Sequence, residues 1–253
     1  MMLRRVMEHL RKLEWTAVAV DFLITVLGVF IGLQVANWNN ARIEQQHAHS
    51  YLERIHADLE ADLVNYRNRL SFWNTVSAYG HTGLVYAETG AAGQNSKWDL
   101  ILAYFQASQV EEYFTTSTTY DELRSAGQLN LISDLALRNG LASYYTNAAN
   151  PTLSERPPYR MHIRGIVPID VQTYIWSHCY STGEQAEQTL HACPSPISEA
   201  QAAQLVAVIS RDTALMNELR YWMSTLYVAG LIGQKRVQTA TQLLHTTEAD
   251  MRR

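Results

Sequence analysis

The feature that most constrains this chain is an apolar segment of 22 residues, WTAVAVDFLITVLGVFIGLQVA, which runs from Trp15 to Ala36. It contains one charged residue, Asp21. At about 1.5 Å per residue, a helix of this length spans roughly 33 Å, which is enough to cross the hydrocarbon core of a bilayer. Trp15 and Trp38 flank the segment, and amphipathic rings favour the membrane interface. The segment therefore predicts a single transmembrane helix over 15–36.

The charges on either side of this segment predict its orientation. Residues 1–14 carry four basic and two acidic residues, whereas residues 37–253 carry 16 basic and 21 acidic residues. Because Lys and Arg are enriched on the cytoplasmic side of membrane spans, we predict a cytoplasmic basic stub over 1–14 and an exported domain over 37–253. An acidic domain lacks the positive surface that binds phosphate backbones, which argues against nucleic acid as a partner.

A cleaved signal peptide is the alternative interpretation of the apolar segment. Three features argue against it: the length of the run, the acid at Asp21, and the absence of a small-x-small cleavage site, since Gln34 precedes Ala36 by two residues. The best later candidate for a span, residues 222–233, is about twelve residues long and is typical of a buried core helix. We therefore expect one retained anchor.

Helical periodicity continues beyond the apolar segment. Apolar residues recur at spacings of three and four and form one stripe along a helix. They are Leu52, Ile55, Leu59, Leu63, Tyr66, Leu70 and Trp73. We expect the transmembrane helix to continue as a stalk helix over about 38–88, and a last long helix over about 199–248 with a bend near Gly230 and Gly233. The sequence thus predicts an all-α fold, with one N-terminal transmembrane helix continuing into an exported α-helical bundle.

Several helix starts carry a local sequence signal. In a capping box, a Ser or Thr at the N-cap is followed three residues later by an acid or Gln. The candidate pairs are Ser96 with Asp99, Thr119 with Glu122, and Ser198 with Gln201. Ser133 is expected to cap a further helix.

Two stretches of the chain resemble a known family. The first runs from Asp21 to Asn40 and ends in Leu-Gln-x-x-Asn-Trp-Asn; the second runs from Thr119 to Ile132 and is followed by Tyr144. They are similar to a family of uncharacterised bacterial single-pass inner-membrane proteins, in which Glu commonly stands at the position of Asp21. The resemblance implies a bacterial inner-membrane location, with the exported domain in the periplasm. It implies no activity.

One face of the predicted span carries polar and small residues. Asp21, Thr25, Gly28 and Gly32 follow one another at steps of four, three and four, and the two glycines form a GxxxG pattern that allows helices to approach closely. An acid within a membrane is costly and usually faces protein or water. We predict that this face is an oligomer interface or an ion pathway. The alternative is that Asp21 lies close enough to the end of the span to reach the cytoplasmic headgroups.

Cys179 and Cys193 are the two cysteines of the chain. In an exported domain an even pair predicts a disulfide. The alternative is two unrelated buried thiols.

Histidines and carboxylates share one face of the predicted stalk. They are His49, Glu53, His56 and Glu60. Histidine and carboxylate at helical spacing can bind zinc, but no cysteine or third histidine joins these residues. We interpret them as a solvated face and predict neither a metal nor a cofactor.

The functional hypotheses follow from layout rather than from catalytic motifs. The sequence has no phosphate-binding loop, no Gly-x-Ser-x-Gly elbow and no His-Glu-x-x-His, so an enzyme is the least expected class. The leading hypothesis is a non-enzymatic, self-associating inner-membrane protein that presents a periplasmic helical scaffold or partner-binding domain. Its expected partners are membrane lipid, a second copy through the transmembrane helix, and another envelope protein.

Two alternatives belong to other functional classes. One is an ion-pathway or stator-like subunit that uses Asp21, by analogy with the layout of small subunits in proton-driven motors. The other is a periplasmic ligand sensor. Because the stub over 1–14 is too short to form an output domain, such a sensor would act through a partner.

Overall fold

The computed structural model describes residues 15–112, 115–146, 153, 156–183 and 187–252, with side chains from residue 18 onward. The basic stub over 1–14 and the side chain of Trp15 lie outside the described residues. Within these ranges the chain is all-α apart from one short hairpin.

The helices differ greatly in length. They are α1 Trp15–Thr89, α2 Lys97–Gln106, α3 Thr118–Ser125, α4 Leu135–Thr146, α5 Pro158–Ile166, α6 Ile169–His178, α7 Glu199–Arg211 and α8 Thr213–Met251. A 3-10 turn, Leu129–Leu131, precedes α4. Strands β1 (Tyr180–Thr182) and β2 (Gln188–Leu190) pair antiparallel between α6 and α7. The sequence does not predict this hairpin, because strands of three residues are too short to show alternation.

Helices α1 and α8 form the antiparallel frame of the domain. Glu88, near the end of α1, binds Arg220 near the start of α8 at 3.0 Å, while His56 lies 3.3 Å from Glu248 near the end of α8. The predicted apolar stripe is the packed face of α1, and its first buried residue is Leu52. One continuous helix, α1, therefore contains both the apolar segment and a packed face of the domain.

Two apolar clusters are stacked along this frame. One joins the stripe of α1 from Leu52 to Tyr66 to α3, α4 and the end of α8. The other joins the later part of α1 to α2, α5, α6, α7 and the start of α8, with Trp222 and Tyr104 among its largest buried side chains. The shorter helices thus pack around the long pair and complete both clusters.

The expected single helix over about 199–248 is two helices in the structure. The chain breaks at Asp212, whose extended backbone ends α7 and whose Oδ1 accepts the Leu215 N–H at 2.9 Å as the N-cap of α8. Helix α8 continues through Gly230 and Gly233. A Cβ at Gly233 would lie 2.9 Å from Cδ2 of Leu70, so this glycine allows α1 and α8 to approach closely.

Two of the three predicted capping boxes are confirmed, whereas the box at Thr119 and the separate N-cap at Ser133 are wrong. Ser96 with Asp99 begins α2, and Ser198 with Gln201 begins α7. Helix α3 begins at Thr118 without a side-chain cap. At α4, Oδ1 of Asp134 rather than Ser133 accepts the N–H of the first turn, from Leu137 at 3.0 Å.

The Thr119–Glu122 box fails because both residues bind elsewhere. The Thr119 N–H donates to Oδ2 of Asp58 at 3.3 Å, and the Glu122 carboxylate accepts from Arg54 and Tyr51. Side chains of α1 thus take both partners of the predicted local cap.

Candidate functional site

The first part of α1 is an apolar helix with nothing packed on it. Among the residues that the structure describes, this is the one helix long and apolar enough to cross a membrane, and its most apolar stretch is entirely unburied. Phe22 is 70 % exposed and Phe30 is 56 % exposed. Contiguous apolar surface of this extent is typical of a membrane or protein contact. The segment is therefore a candidate membrane span.

The predicted polar face of this segment is also uncovered. A Cβ added at Gly28 or Gly32 would meet no atom within 4 Å. The Thr25 hydroxyl donates to the Asp21 carbonyl at 2.8 Å, so it is satisfied within the helix. The Asp21 carboxylate makes no hydrogen bond or ion pair to any other described residue. The four residues share a face, and no other part of the described chain contacts it.

Glu122 connects α3 to α1 near the first buried residues of the domain. Its carboxylate accepts a hydrogen bond from Arg54 at 2.5 Å and another from the Tyr51 hydroxyl at 3.0 Å. These bonds hold the pKa of Glu122 below its ordinary value, the Arg54 bond having the larger effect. The contact fixes α3 against the first turns of the domain.

Asp62 forms a buried contact further along α1, eight residues beyond Arg54. Its Oδ1 accepts the Thr116 N–H at 2.7 Å and its Oδ2 accepts the Tyr144 hydroxyl at 2.9 Å. Asp62 thus holds the segment before α3, and Asp58 binds the first turn of α3 through the Thr119 N–H. Sequence reasoning misses these contacts because the partners lie more than 50 positions away and no local pattern marks them.

The histidines and carboxylates of this face form separate side-chain contacts. His49 lies 3.5 Å from Glu53, and His56 lies 3.5 Å from Glu60 and 3.3 Å from Glu248 on α8. The bond from His56 holds the pKa of Glu248 below its ordinary value. Across the described ranges, no three His, Cys, Asp or Glu side chains are arranged to hold a metal ion.

Cys179 and Cys193 are joined as a disulfide, with Cα atoms 5.3 Å apart. The bond closes the loop that contains β1 and β2. Backbone carbonyls at both cysteines accept buried side chains of α2: Trp98 Nε1 donates to Cys193 at 2.8 Å and Gln106 Nε2 donates to Cys179 at 3.0 Å. The loop is therefore attached to the apolar cluster that contains α2.

Arg164 is a cation held mainly by aromatic rings. Its guanidinium carbon lies 5.4 Å from the ring centre of Phe105 and 5.0 Å from that of Trp176, and it donates to Gln109 at 3.1 Å. Burial, with a smaller effect of Arg160, lowers the pKa of Arg164 to about 10, so the side chain stays charged near neutral pH. It joins α5 to α2 and α6.

His162 connects α5 to the start of α8. Its Nε2 lies 3.2 Å from the Asp212 carboxylate and its Nδ1 lies 3.0 Å from that of Glu218. Since Asp212 is the N-cap of α8, His162 supports the break between α7 and α8. These contacts position the start of α8 relative to α5.

No family model, no curated protein and no solved structure matches this chain.

Proposed function

We propose that this chain is a non-enzymatic, self-associating protein of the bacterial inner membrane that presents a periplasmic helical domain as a scaffold or partner-binding module. The observation that carries the proposal is the continuity of α1. One helix runs from an uncovered apolar segment into the packed core that begins at Leu52. Because the helix is continuous, it fixes the distance between the proposed membrane span and the domain.

Charge supports the orientation with the N-terminus in the cytoplasm. Four basic residues precede the apolar segment, and the residues that follow it are net acidic. The linked pair Cys179 and Cys193 is in keeping with an oxidising compartment such as the periplasm.

Self-association is supported by the uncovered face of α1. Lipid tails are as apolar as leucine, so hydrophobic burial does not drive helices together in a membrane, and close backbone contact does. Gly28 and Gly32 leave open space where a second helix backbone can approach. Asp21 on the same face gains a protein or water environment when the face is covered. A second copy of α1 supplies such a partner.

The ion-pathway alternative rests on Asp21. Its carboxylate has no hydrogen-bonding partner among the described residues. It is therefore accessible, and a carboxylate that exchanges protons must be accessible. Asp21→Asn separates the two roles: an interface residue that only hydrogen-bonds tolerates the change, whereas a proton carrier loses ion flux. Proton flux into vesicles that contain the purified full chain measures the difference.

The mass of the purified complex in mild detergent tests self-association. Gly28→Ile combined with Gly32→Ile keeps the span apolar but obstructs close approach, and we expect it to reduce the complex to a monomer. Leu23→Ile combined with Phe30→Ile is the matched control on the opposite face and should leave the mass unchanged. A monomeric wild-type protein, or equal masses for both variants, contradicts self-association through this face.

A reporter enzyme that is active only outside the cytoplasm, fused after Arg253, tests the orientation. We expect activity. A reporter that is active only in the cytoplasm would place the domain on the other side and would contradict the proposal.

A further inference from the structure

The base of the domain contains an open cavity of about 460 Å³ against α1. One wall is a stripe of α1 that includes Ala41, Glu44 and Ala48. The other wall is formed by the end of the domain nearest the apolar segment, with Leu131 in the 3-10 turn and Met251 at the end of α8. The cavity thus lies between the exposed stalk and the first packed layer of the domain.

The rise of the helix sets the height of this cavity above the membrane. The apolar segment ends at Ala36, and Ala41 is five residues further on. At about 1.5 Å per residue this corresponds to roughly 7–8 Å. A headgroup layer is about 5–8 Å thick on each side of the hydrocarbon core. The lower end of the cavity therefore begins at the level of the lipid headgroups.

The lining determines which headgroup fits. Glu44 and Asp250 contribute carboxylates and His49 contributes an imidazole, and among the described residues no Lys or Arg lines the cavity. Glu44 makes no hydrogen bond or ion pair within the described part of the chain. An anionic headgroup would meet like charge here. A primary ammonium carries the opposite charge and several N–H donors for carboxylate oxygens.

We propose that this cavity binds the ammonium headgroup of a phosphatidylethanolamine-type lipid of the same membrane leaflet, with Glu44 as the principal acceptor. Ala41, at the lower end of the cavity, supplies an apolar wall for the carbon atoms of the headgroup. Bound lipid fills the space between α1 and the domain and limits tilting of the domain relative to the bilayer. This inference rests on the proposed membrane anchor.

The test uses the purified full chain in vesicles of equal phosphatidylethanolamine, phosphatidylcholine and phosphatidylglycerol content. Native mass spectrometry of protein released from these vesicles measures which lipid is retained. We expect phosphatidylethanolamine to be retained over the other two. Phosphatidylcholine carries the same charge without N–H donors, and phosphatidylglycerol is anionic, so the pair separates hydrogen bonding from charge.

Two variants and two matched controls assign the site. Glu44→Gln is expected to lower retention of phosphatidylethanolamine about tenfold, the change that follows from losing a charge-assisted hydrogen bond. Ala48→Trp should lower it by filling the cavity. Glu60→Gln and Ala57→Trp change exposed residues of α1 outside the cavity and should leave retention unchanged.

Flotation of the same vesicles distinguishes the two ways to fail. Protein that floats but retains the three lipids equally, or favours phosphatidylglycerol, overturns the headgroup site and leaves the anchor standing. Protein that stays at the bottom of the gradient, separate from the vesicles, overturns the anchor and the headgroup site together.

Discussion

The Tyr144 hydroxyl donates a hydrogen bond of 2.9 Å to Oδ2 of Asp62, and neither side chain is more than 1 % exposed. The other carboxylate oxygen of Asp62 accepts the Thr116 N–H at 2.7 Å. A buried carboxylate is costly unless its oxygens are hydrogen-bonded, so these contacts offset its desolvation. One side chain of α1 thereby holds both α4 and the segment before α3.

Tyr144→Phe should destabilise the fold, because it removes the donor and keeps the ring. We expect the free energy of unfolding to fall by about 1–3 kcal/mol, the cost of leaving a buried acceptor with one partner fewer. Denaturant titration of the full chain in mild detergent, followed by tryptophan fluorescence, measures it. The control is Tyr221→Phe at a residue that is 71 % exposed, where the change should stay within about 0.5 kcal/mol. Equal effects of the two variants would contradict the role of Asp62 as a buried acceptor.

Glu122 should make part of the stability depend on pH. Hydrogen bonds from Arg54 and Tyr51 hold its pKa below the ordinary 4.5 in the folded chain. A carboxyl group with a lowered folded pKa stabilises the fold above its unfolded pKa, and this contribution disappears as pH falls through the folded pKa. The difference in free energy of unfolding between wild type and Glu122→Gln should therefore be constant near neutral pH and shrink in acid.

Salt and a second variant provide the controls for Glu122. Both Arg54 and Glu122 side chains are 45 % exposed, so added salt should weaken the difference. In the Arg54→Met background, the effect of Glu122→Gln on the free energy of unfolding should lose most of its dependence on pH. A difference that does not change between about pH 7 and about pH 3 would show that the Glu122 pKa is not lowered by folding.

The disulfide should contribute measurably to stability. Closing a loop of this length restricts the unfolded chain and contributes on the order of 3 kcal/mol in the loop-entropy model. Reductant should lower the free energy of unfolding of the wild type and leave the Cys179→Ala, Cys193→Ala double variant unchanged. Mass spectrometry of untreated protein should detect the linked peptides. Two alkylatable thiols in protein from an oxidising compartment would remove the claim.

The elements that sequence predicts are those fixed by neighbouring residues. The stripe from Leu52 to Trp73 predicts a packed helix face because helical spacing alone places its members together. The capping boxes at Ser96 and Ser198 form because each is completed within four residues. The all-α class follows from the same local signals.

The elements that sequence misses depend on distant residues. The box at Thr119 is displaced because Asp58 and Arg54 on α1 take its backbone and side-chain partners. The break at Asp212 carries only a weak N-cap signal inside an otherwise continuous apolar pattern. His162 and Glu218 reinforce it through contacts made in the folded chain. For the candidate membrane face the sequence supplies all four residues, and the partner that we propose for them is a second copy of the chain.

Cysteine cross-linking in native membranes tests the central claim, that α1 crosses the membrane and pairs with a second copy through one face. Single cysteines replace Asp21, Thr25, Gly28 and Gly32 in a chain that lacks Cys179 and Cys193. Leu23 and Phe30 on the opposite face receive the control cysteines. We predict dimers that form much faster at the first four positions than at the two controls. Equal rates at all six positions would contradict an interface on this face.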